Sequence, residues 1–183
     1  MNSVSENNLT EIIKISKKNE FKPLKMKAIN KNGKEYQSIA YNEVSLMRQT
    51  HQAAKIQIKI NNIIRMHELV CDGILVSTAA GSTAYNLSAH GSILPLDSAI
   101  LALTPISAFR PRRWKGALLS QKNSIEFIVN NFSKRSASVT ADNTEYRDIK
   151  SVKINSINKN KCIVLFDNKH SMEDKILNEQ FEN

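Results

Sequence analysis

Short apolar runs separated by turn residues recur along most of this sequence and leave little room for a fold that is not rich in β-strands. Residues 55–60 alternate strictly between polar and apolar side chains, and Asn61 and Asn62 follow them as turn residues. Such alternation is typical of a half-buried strand, because successive side chains of a strand point to opposite faces. Further short strands are predicted at residues 24–28, 39–44, 74–76, 101–103, 125–129, 138–141, 152–154 and 162–166. We therefore predict a mainly β (α+β) fold, a sandwich-like domain with a few short helices.

Helices are expected in only three places. The spacing of apolar residues predicts a first helix within residues 9–19 and a second helix at residues 83–89. A capping-box pattern predicts a closing helix at residues 173–181. We accordingly divide the chain into a β-rich domain, residues 1–170, and a C-terminal helix, residues 171–183.

Two turns are predicted to close hairpins. Residues 30–33 separate the apolar runs at 24–28 and 39–44, which would make the first hairpin. Asp72 and Gly73 form a two-residue turn of the kind that joins adjacent antiparallel strands. They would connect a strand that ends at Cys71 to the apolar residues 74–76.

The charge of the chain is unevenly distributed. The sequence has 26 basic and 17 acidic residues, a formal net charge of +9, yet residues 70–108 contain no basic residue. The only charged residues in that stretch are Asp72 and Asp97, and the remainder is small, hydroxylic or apolar. This composition is typical of a buried centre or a ligand cleft, so we expect the functional site there.

The ends of the chain and its cysteines exclude some classes of protein. The first residues show neither a basic start nor an apolar stretch of the kind found in signal peptides, and no apolar run reaches the length of a membrane span. We expect a cytoplasmic location and no membrane partner. Cys71 and Cys162 lie far apart in apolar stretches, which favours buried, reduced thiols over a metal site.

The most informative segment runs from residue 72 to residue 88. It places backbone N–H groups, the flexible Gly81 and several hydroxyl groups at the start of a short helix. Such an arrangement suits the polar edges of a nucleotide, and Tyr85 could place its ring against a base. The same residues could instead simply cap a structural helix.

A second signal is the adjacent pair Asn42 and Glu43, which interrupts an otherwise apolar run. An asparagine amide can pair with a donor–acceptor edge of adenine, and a carboxylate can accept hydrogen bonds from both hydroxyl groups of a ribose. Taken alone, the pair also fits an ordinary solvated turn or strand end.

Together these segments resemble the NAD kinase family. The resemblance continues through residues 103–106, through Phe109-Arg110-Pro111 and through residues 140–143, so that it covers nearly the whole chain. Its most specific motifs are the Asn-Glu pair and the segment that reads GSTAY at residues 81–85. The chain is most similar to the C-terminal, NAD-binding part of these enzymes.

The resemblance implies a set of site residues. Asn42 would contact the adenine base of NAD and Glu43 its ribose, with Asp72 as a further polar contact within one subunit or across a subunit boundary. The residues implied to line the rest of the dinucleotide pocket are Ala80, Thr83, Ala84, Tyr85, Asn86, Leu87 and Ser88. Asp142 is left open as either a pocket residue or a turn carboxylate.

The family reaction transfers a phosphoryl group from ATP or polyphosphate, with a divalent metal such as Mg²⁺, to the 2′-hydroxyl of the adenosine ribose of NAD. The resemblance implies that a Gly-Gly-Asp-Gly run in an α/β domain supplies the phosphate cradle and the catalytic aspartate. The five glycines of this chain are at positions 33, 73, 81, 91 and 116, so none are adjacent. We expect no catalytic or metal-binding residue in this chain, and weak or absent activity of the chain alone. The expected partner is a separate or missing N-terminal α/β domain, on which the C-terminal helix, residues 171–183, would pack.

Two positions depart from the commonest family pattern. Ala79 stands where many members have proline in the loop before Gly81, which puts the stiffness of that loop in doubt. Asn143 stands where glycine or histidine is frequent, so no contact of that side chain can be carried over. Family members usually form homodimers or homotetramers, and we expect a homo-oligomer by analogy.

Three alternatives remain at this point. A nucleic-acid-binding module would use the net charge and the basic residues around Trp114, although no zinc spacing, RNP-type strand or helix-turn-helix pattern is present. A lipid kinase of the related diacylglycerol kinase superfamily would share the β-rich C-terminal domain. A purely structural or regulatory NAD-binding fragment is the third alternative.

Overall fold

The computed structural model describes residues 9–112, 114–166 and 181. Over these residues the chain forms two short α-helices, one 3₁₀ helix and fourteen strands. The helices are α1 (Leu9–Ile15), the 3₁₀ helix (Ala80–Thr83) and α2 (Tyr85–Ser88). The strands are β1 (Lys17–Phe21), β2 (Leu24–Asn30), β3 (Glu35–Ala40), β4 (Glu43–Arg48), β5 (Ala54–Ile60), β6 (Ile63–Cys71), β7 (Gly73–Ser77), β8 (Ile100–Ile106), β9 (Ala117–Ser120), β10 (Ile125–Val129), β11 (Ala137–Ala141), β12 (Thr144–Tyr146), β13 (Ile149–Ser156) and β14 (Cys162–Phe166).

Most strands belong to two six-stranded antiparallel sheets. Sheet I has the order β3-β2-β13-β10-β5-β6, and sheet II has the order β12-β11-β4-β7-β8-β9. Strands β1 and β14 form a separate antiparallel pair. Alternate side chains of both sheets pack into one core, which includes Phe127, Met26 and Ile56 of sheet I and Leu46 and Ile74 of sheet II. The predicted mainly β, sandwich-like fold is confirmed.

The predicted strands are present, and the alternation of residues 55–60 corresponds to β5. Its apolar side chains are buried and its polar ones half-buried. Asn61 and Asn62 both have positive φ, 53° and 66°, which is the backbone of a tight two-residue hairpin turn into β6. Strands β1, β9 and β12 were not predicted, because their sequences lack a clear alternation of buried and exposed residues.

The hairpin predicted at Asp72 and Gly73 is wrong. Strand β6 pairs with β5 in sheet I, whereas β7 pairs with β4 and β8 in sheet II, so Asp72 lies where the chain crosses between the sheets. The glycine at position 73 is required by packing and not by a turn. A Cβ at this position would lie 2.6 Å from the carbonyl oxygen of Leu46.

The run at residues 39–44 also divides into two strands. β3 pairs with β2, as expected for the first hairpin, but it ends at Ala40. Tyr41 and Asn42 form a bend, and Glu43 begins β4 in the other sheet. Asn42 is therefore a corner residue, and only Glu43 of the pair lies on a strand.

The helices differ in extent from the prediction. α1 ends at Ile15, and residues 17–19, which were predicted to be helical, belong to β1. The segment predicted as helix at residues 83–89 begins earlier, at Ala80, as a 3₁₀ helix, and Ala84 separates it from the single turn of α2. The domain boundary at residue 170 and, except for Phe181, the predicted C-terminal helix lie outside the described residues, so both stay predictions.

Within the described part of the chain, no helix has the length and apolar character needed to cross a membrane.

Candidate functional site

The corner that carries Asn42 is joined to the loop after β7. The carbonyl oxygen of Tyr41 accepts a hydrogen bond from Oγ1 of Thr78 at 2.7 Å, and that of Asn42 accepts one from the backbone N–H of Thr78 at 2.9 Å. Thr78 is 2% exposed, so these bonds are shielded from water. The two segments that carry the predicted motifs are thus neighbours, although 35 residues separate them along the chain.

Gly81 is needed for this close approach. A Cβ at position 81 would lie 2.3 Å from the carbonyl oxygen of Asn42 and 2.6 Å from its Cα. Backbone atoms cannot move aside as a flexible side chain can, so only glycine fits. The backbone N–H of Gly81 also donates to Oγ1 of Thr78 at 3.1 Å, which fixes the start of the 3₁₀ helix.

Residues 80–88 lie against the outer face of sheet II, with some of their side chains open to solvent. Ala84, Tyr85 and Ser88 are exposed, and Ala80, Thr83 and Leu87 are half-buried. The Tyr85 hydroxyl lies 3.7 Å from Sδ of Met47, at the far end of β4 from Glu43. Glu43 and Met47 are four positions apart, which is about 13 Å along a strand. Tyr85 therefore lies over the outer face of β4.

Glu43 has an unusual environment for a carboxylate. Its Oε2 atom is buried and has no hydrogen-bond partner among the described residues. Burial and, secondly, the carboxylate of Asp142 raise the pKa of Glu43 from 4.5 to about 6. An unsatisfied carboxylate oxygen of this kind is ready to accept hydrogen bonds from a ligand.

The negative charges of Glu43 and Asp72 both act on the Tyr85 hydroxyl. Burial first, and then the carboxylates of Glu43 and Asp72, raise the pKa of the Tyr85 hydroxyl. Asp72 is also bound by Nε of Arg48 at 2.5 Å, and its side chain remains 38% exposed. The start of the loop at residues 80–88 therefore adjoins Asn42, and Tyr85 lies over the strand that begins at Glu43.

Asn86 is the exception among the predicted site residues, because its side chain points into the protein. It is 0% exposed. Its Nδ2 donates to the carbonyl oxygens of Ser82 and Ser92, both at 3.0 Å, and its Oδ1 accepts from Oγ1 of Thr104 at 2.7 Å. The side chain of Asn86 thus ties α2 to the sheet beneath it.

Asp142 proves to be a turn carboxylate with contacts to the site. It has a φ of 50° in the turn between β11 and β12. Its carboxylate accepts hydrogen bonds from the backbone N–H groups of Tyr41, Asn42 and Glu43 at 2.7, 3.0 and 3.2 Å.

The residues of β4 and β11 that lie beneath Tyr85 were not predicted from the sequence. Ser45 and Met47 follow Glu43 with a period of two and so share its face of β4, and the register pairs Ser45 with Thr140 and Met47 with Ser138 of β11. Ser45 and Ser138 are each 7% exposed. The period of two along residues 43–47 could have identified Ser45 and Met47, but the partners on β11 depend on pairing that the sequence does not show.

The described residues contain no cluster of three or more metal-ligating side chains. Both cysteines are free, with Cys71 buried and Cys162 half-buried. Burial and the neighbouring Asp72 raise the pKa of Cys71 to about 12, so its thiol stays protonated.

Comparison with known proteins identifies the family. The family model for the ATP-NAD kinase C-terminal domain matches residues 41–152. An NAD kinase of Caulobacter vibrioides is 50% identical over 181 residues, which is 99% of this chain and 70% of that protein. The chain belongs to the NAD kinase family.

Other comparisons agree with this family. An NAD kinase of Rickettsia bellii is 49% identical over 99% of this chain and 71% of that protein. Yeast NADH kinase complexed with NADH has a TM-score of 0.80 at 19% identity, covering 97% of this chain and 54% of that one. An Archaeoglobus fulgidus NAD kinase in complex with ATP has a TM-score of 0.71 at 21% identity, covering 88% and 61%. These two structures support the fold, and the sequence relatives assign the enzyme class, which is that of a kinase acting on NAD.

Proposed function

We propose that this chain supplies the NAD-binding part of an NAD kinase and holds the adenosine portion of NAD between the Asn42–Glu43 corner and Tyr85. The observation that carries the proposal is the convergence of these residues around the loop at Gly81. The corner and the loop are joined through Thr78, and the Tyr85 hydroxyl contacts Met47 on the strand that begins at Glu43.

Each group suits one part of the nucleoside. The exposed amide of Asn42 offers a donor and an acceptor side by side, as an adenine edge requires. The buried, unpartnered oxygen of Glu43 would gain partners from the ribose hydroxyl groups. The Tyr85 ring offers a flat surface for the base.

The other predicted residues have supporting roles in this proposal. Ala80, Thr83, Ala84, Leu87 and Ser88 line the pocket around Tyr85, and Asp72 is a further polar contact. Because the side-chain amide of Asn86 is already saturated by Ser82, Ser92 and Thr104, we assign Asn86 to the support of α2.

The phosphoryl donor is ATP or polyphosphate, with Mg²⁺ as its divalent metal, and we assign its cradle and the catalytic aspartate to an α/β domain. The sequence given has no adjacent glycines with which to surround a triphosphate. We place the contact with that domain at the predicted C-terminal helix, together with α1 and the β1–β14 pair, where Ile13 and Ile163 are exposed. A homo-oligomer is the proposed assembly, and the cytoplasm the proposed location.

Calorimetric titration with NAD tests the site. Loss of the Asn42 amide removes hydrogen bonds worth about 1–3 kcal/mol, so Asn42→Ala is expected to weaken binding by roughly 5- to 150-fold. Tyr85→Ala removes the ring on which the base would stack, a contact worth about 1–3 kcal/mol, so it should weaken NAD binding to a similar extent. Asn32→Ala, in the exposed turn between β2 and β3, is the matched control and should bind NAD as the unmodified chain does.

Unchanged NAD affinity in both site variants would contradict the proposed pocket. The nucleic-acid alternative predicts a different result, namely binding of random RNA with a steep salt dependence that NAD does not affect. Its basic cluster includes Arg110 and Arg112, whose guanidinium groups lie 5.4 and 5.5 Å from the centre of the Phe109 ring. Family membership favours the kinase over this alternative.

A further inference from the structure

The corner at Tyr41 and Asn42 cannot complete its hydrogen bonds within either sheet. β3 ends in sheet I at Ala40 and β4 begins in sheet II at Glu43, so the residues between them have no ladder partner. Backbone polar groups that lack a ladder partner bond to side chains, to other backbone groups or to water, and each of these groups has a partner in the protein outside the sheets.

The partners of the corner lie on two opposite sides of its backbone. Thr78 donates to the carbonyl oxygens of Tyr41 and Asn42. The Asp142 carboxylate accepts from the N–H groups of Tyr41, Asn42 and Glu43. In return, the backbone N–H of Asp142 donates to the carbonyl oxygen of Glu43 at 3.1 Å. Asp142 is therefore bonded to every residue of the corner.

We propose that Asp142 is a positioning residue of the NAD site, which holds the backbone of Tyr41, Asn42 and Glu43 so that the Asn42 amide and the Glu43 carboxylate are oriented toward the adenosine. This inference rests on the proposed function. A carboxylate has about four acceptor positions, and three of them are occupied by backbone N–H groups. The Asp142 carboxylate is thus bonded mainly to the corner, and NAD would contact the side chains of Asn42 and Glu43 instead.

Asp142 also acts on Glu43 through its charge. Next to burial, the Asp142 carboxylate is the cause of the raised pKa of Glu43. The charge of Glu43 also acts on the Tyr85 hydroxyl of α2, as does that of Asp72, which is paired with Arg48. Because an ionised Glu43 is needed to accept from ribose hydroxyl groups, NAD affinity should fall as the pH drops through about 6.

Two substitutions separate the geometric effect from the electrostatic one. Asp142→Asn removes the charge and presents an NH₂ group to one of the three N–H donors, whereas Asp142→Glu keeps the charge but displaces the oxygens by one methylene. The matched control is Asp148→Asn, since Asp148 also has positive φ, 58°, and its carboxylate forms an exposed ion pair with Lys31. Using two variants keeps the test decisive if one of them does not fold.

The experiment measures NAD affinity of the 183-residue chain between pH 5 and 8, together with amide hydrogen exchange of residues 41–43 without ligand. Both Asp142 variants are expected to bind NAD at least tenfold more weakly and to exchange these amides faster. The pH at which NAD affinity falls should be lower in Asp142→Asn, which lacks the charge, and should stay near 6 in Asp142→Glu, which keeps it. Asp148→Asn should match the unmodified chain in every respect.

Different outcomes overturn different claims. If the unmodified chain binds NAD and both Asp142 variants bind it within twofold of the same affinity, the positioning role is wrong and the proposed function stands. Weaker binding with unchanged exchange at residues 41–43 would make Asp142 a direct ligand contact and also overturn the positioning role. If the unmodified chain does not bind NAD, the proposed function and this inference both fail.

Discussion

At the scale of single residues, the ionised carboxylate of Glu43 should favour NAD binding but lower the stability of the folded chain. The free energy of unfolding is lowered when a carboxylate must ionise in a buried position beside another carboxylate. Because the folded-state pKa of about 6 lies above the ordinary value of 4.5, this loss of stability develops as the pH rises from about 4.5 through 6. It is fully present at neutral pH and absent well below pH 4.5.

Replacing Glu43 by glutamine should therefore have opposite effects on stability and binding. Glu43→Gln is expected to unfold at a higher temperature than the unmodified chain at pH 7.5, and this advantage should shrink toward pH 4.5. The same variant should bind NAD more weakly at pH 7.5, since an amide accepts hydrogen bonds less strongly than a carboxylate. Thermal unfolding at several pH values checks the first expectation, and equal stability of the two proteins at pH 7.5 would contradict it.

Gly81 gives a second prediction at this scale. In Gly81→Ala the new Cβ meets the backbone of Asn42, so the loop and the corner must separate. We expect a loss of about 1–3 kcal/mol in unfolding free energy, typical of overpacking, together with weaker NAD binding. The control is Gly33→Ala, where no atom lies within 4 Å of the new Cβ but φ is +82°.

Gly33→Ala should also destabilise the chain, by about 1–2 kcal/mol, because a residue with a Cβ is strained at positive φ. It should leave NAD affinity unchanged, since the turn at Gly33 is remote from the corner. Denaturant unfolding and calorimetry distinguish the two variants. An unaltered affinity in Gly81→Ala would show that contact between loop and corner is not needed for binding.

At the scale of elements, α2 is held by a buried hydrogen-bond network and not by its own length. A single helical turn is not stable alone. Asn86 supplies the missing stability through Ser82, Ser92 and Thr104. The orientation of Tyr85, the first residue of α2, depends on this network.

Thr104→Val tests that dependence. The substitution keeps the shape of the side chain and leaves the buried Oδ1 of Asn86 without its 2.7 Å donor, which should cost about 1–3 kcal/mol of unfolding free energy. NAD binding should weaken as α2 loosens. Thr50→Val, in an exposed loop, should change stability by less than about 0.5 kcal/mol. If the two variants are equally stable, the network does not hold α2.

The elements also show which parts of the fold the sequence can predict. The strand at residues 55–60 and the paired turn residues Asn61 and Asn62 follow from local alternation and turn chemistry, and both are present. The crossings at Asn42 and Asp72 could not be predicted, because a crossing between sheets and a hairpin have the same local signals. Long-range packing, such as the contact of Gly73 with Leu46, decides which strands pair with β4 and β7.

The candidate site divides in the same way. Its motif residues, from Asn42 and Glu43 to Tyr85, were identified from their types and their resemblance to a family. The hydrogen bonds of Thr78 and Asp142 to the corner were not predicted, and Asn86 was predicted to line the pocket although its side chain is buried. Each of these features depends on a hydrogen bond to a residue distant in the sequence or on the depth of burial.

At the scale of the whole molecule, we expect the chain to bind NAD with little or no catalysis. The 183-residue chain should bind NAD and form little or no NADP with ATP and Mg²⁺, because the sequence given has no adjacent glycines of the kind that surround a triphosphate. An NADP-formation assay checks this, with the NAD kinase of Caulobacter vibrioides as the active control. Turnover comparable with that control would place catalytic groups in this chain.

The most direct test of the central claim is an NMR titration of the chain with AMP, which carries the adenosine part of NAD alone. We expect the signals of the Asn42 side-chain amide and of the backbone amides of Glu43 and Tyr85 to shift together and to saturate at the same AMP concentration. The amides of Asn61 and Asn123, which bond to each other at the end of sheet I, should not move. Saturable shifts that leave all three site residues unaffected would contradict the assignment of the adenosine site.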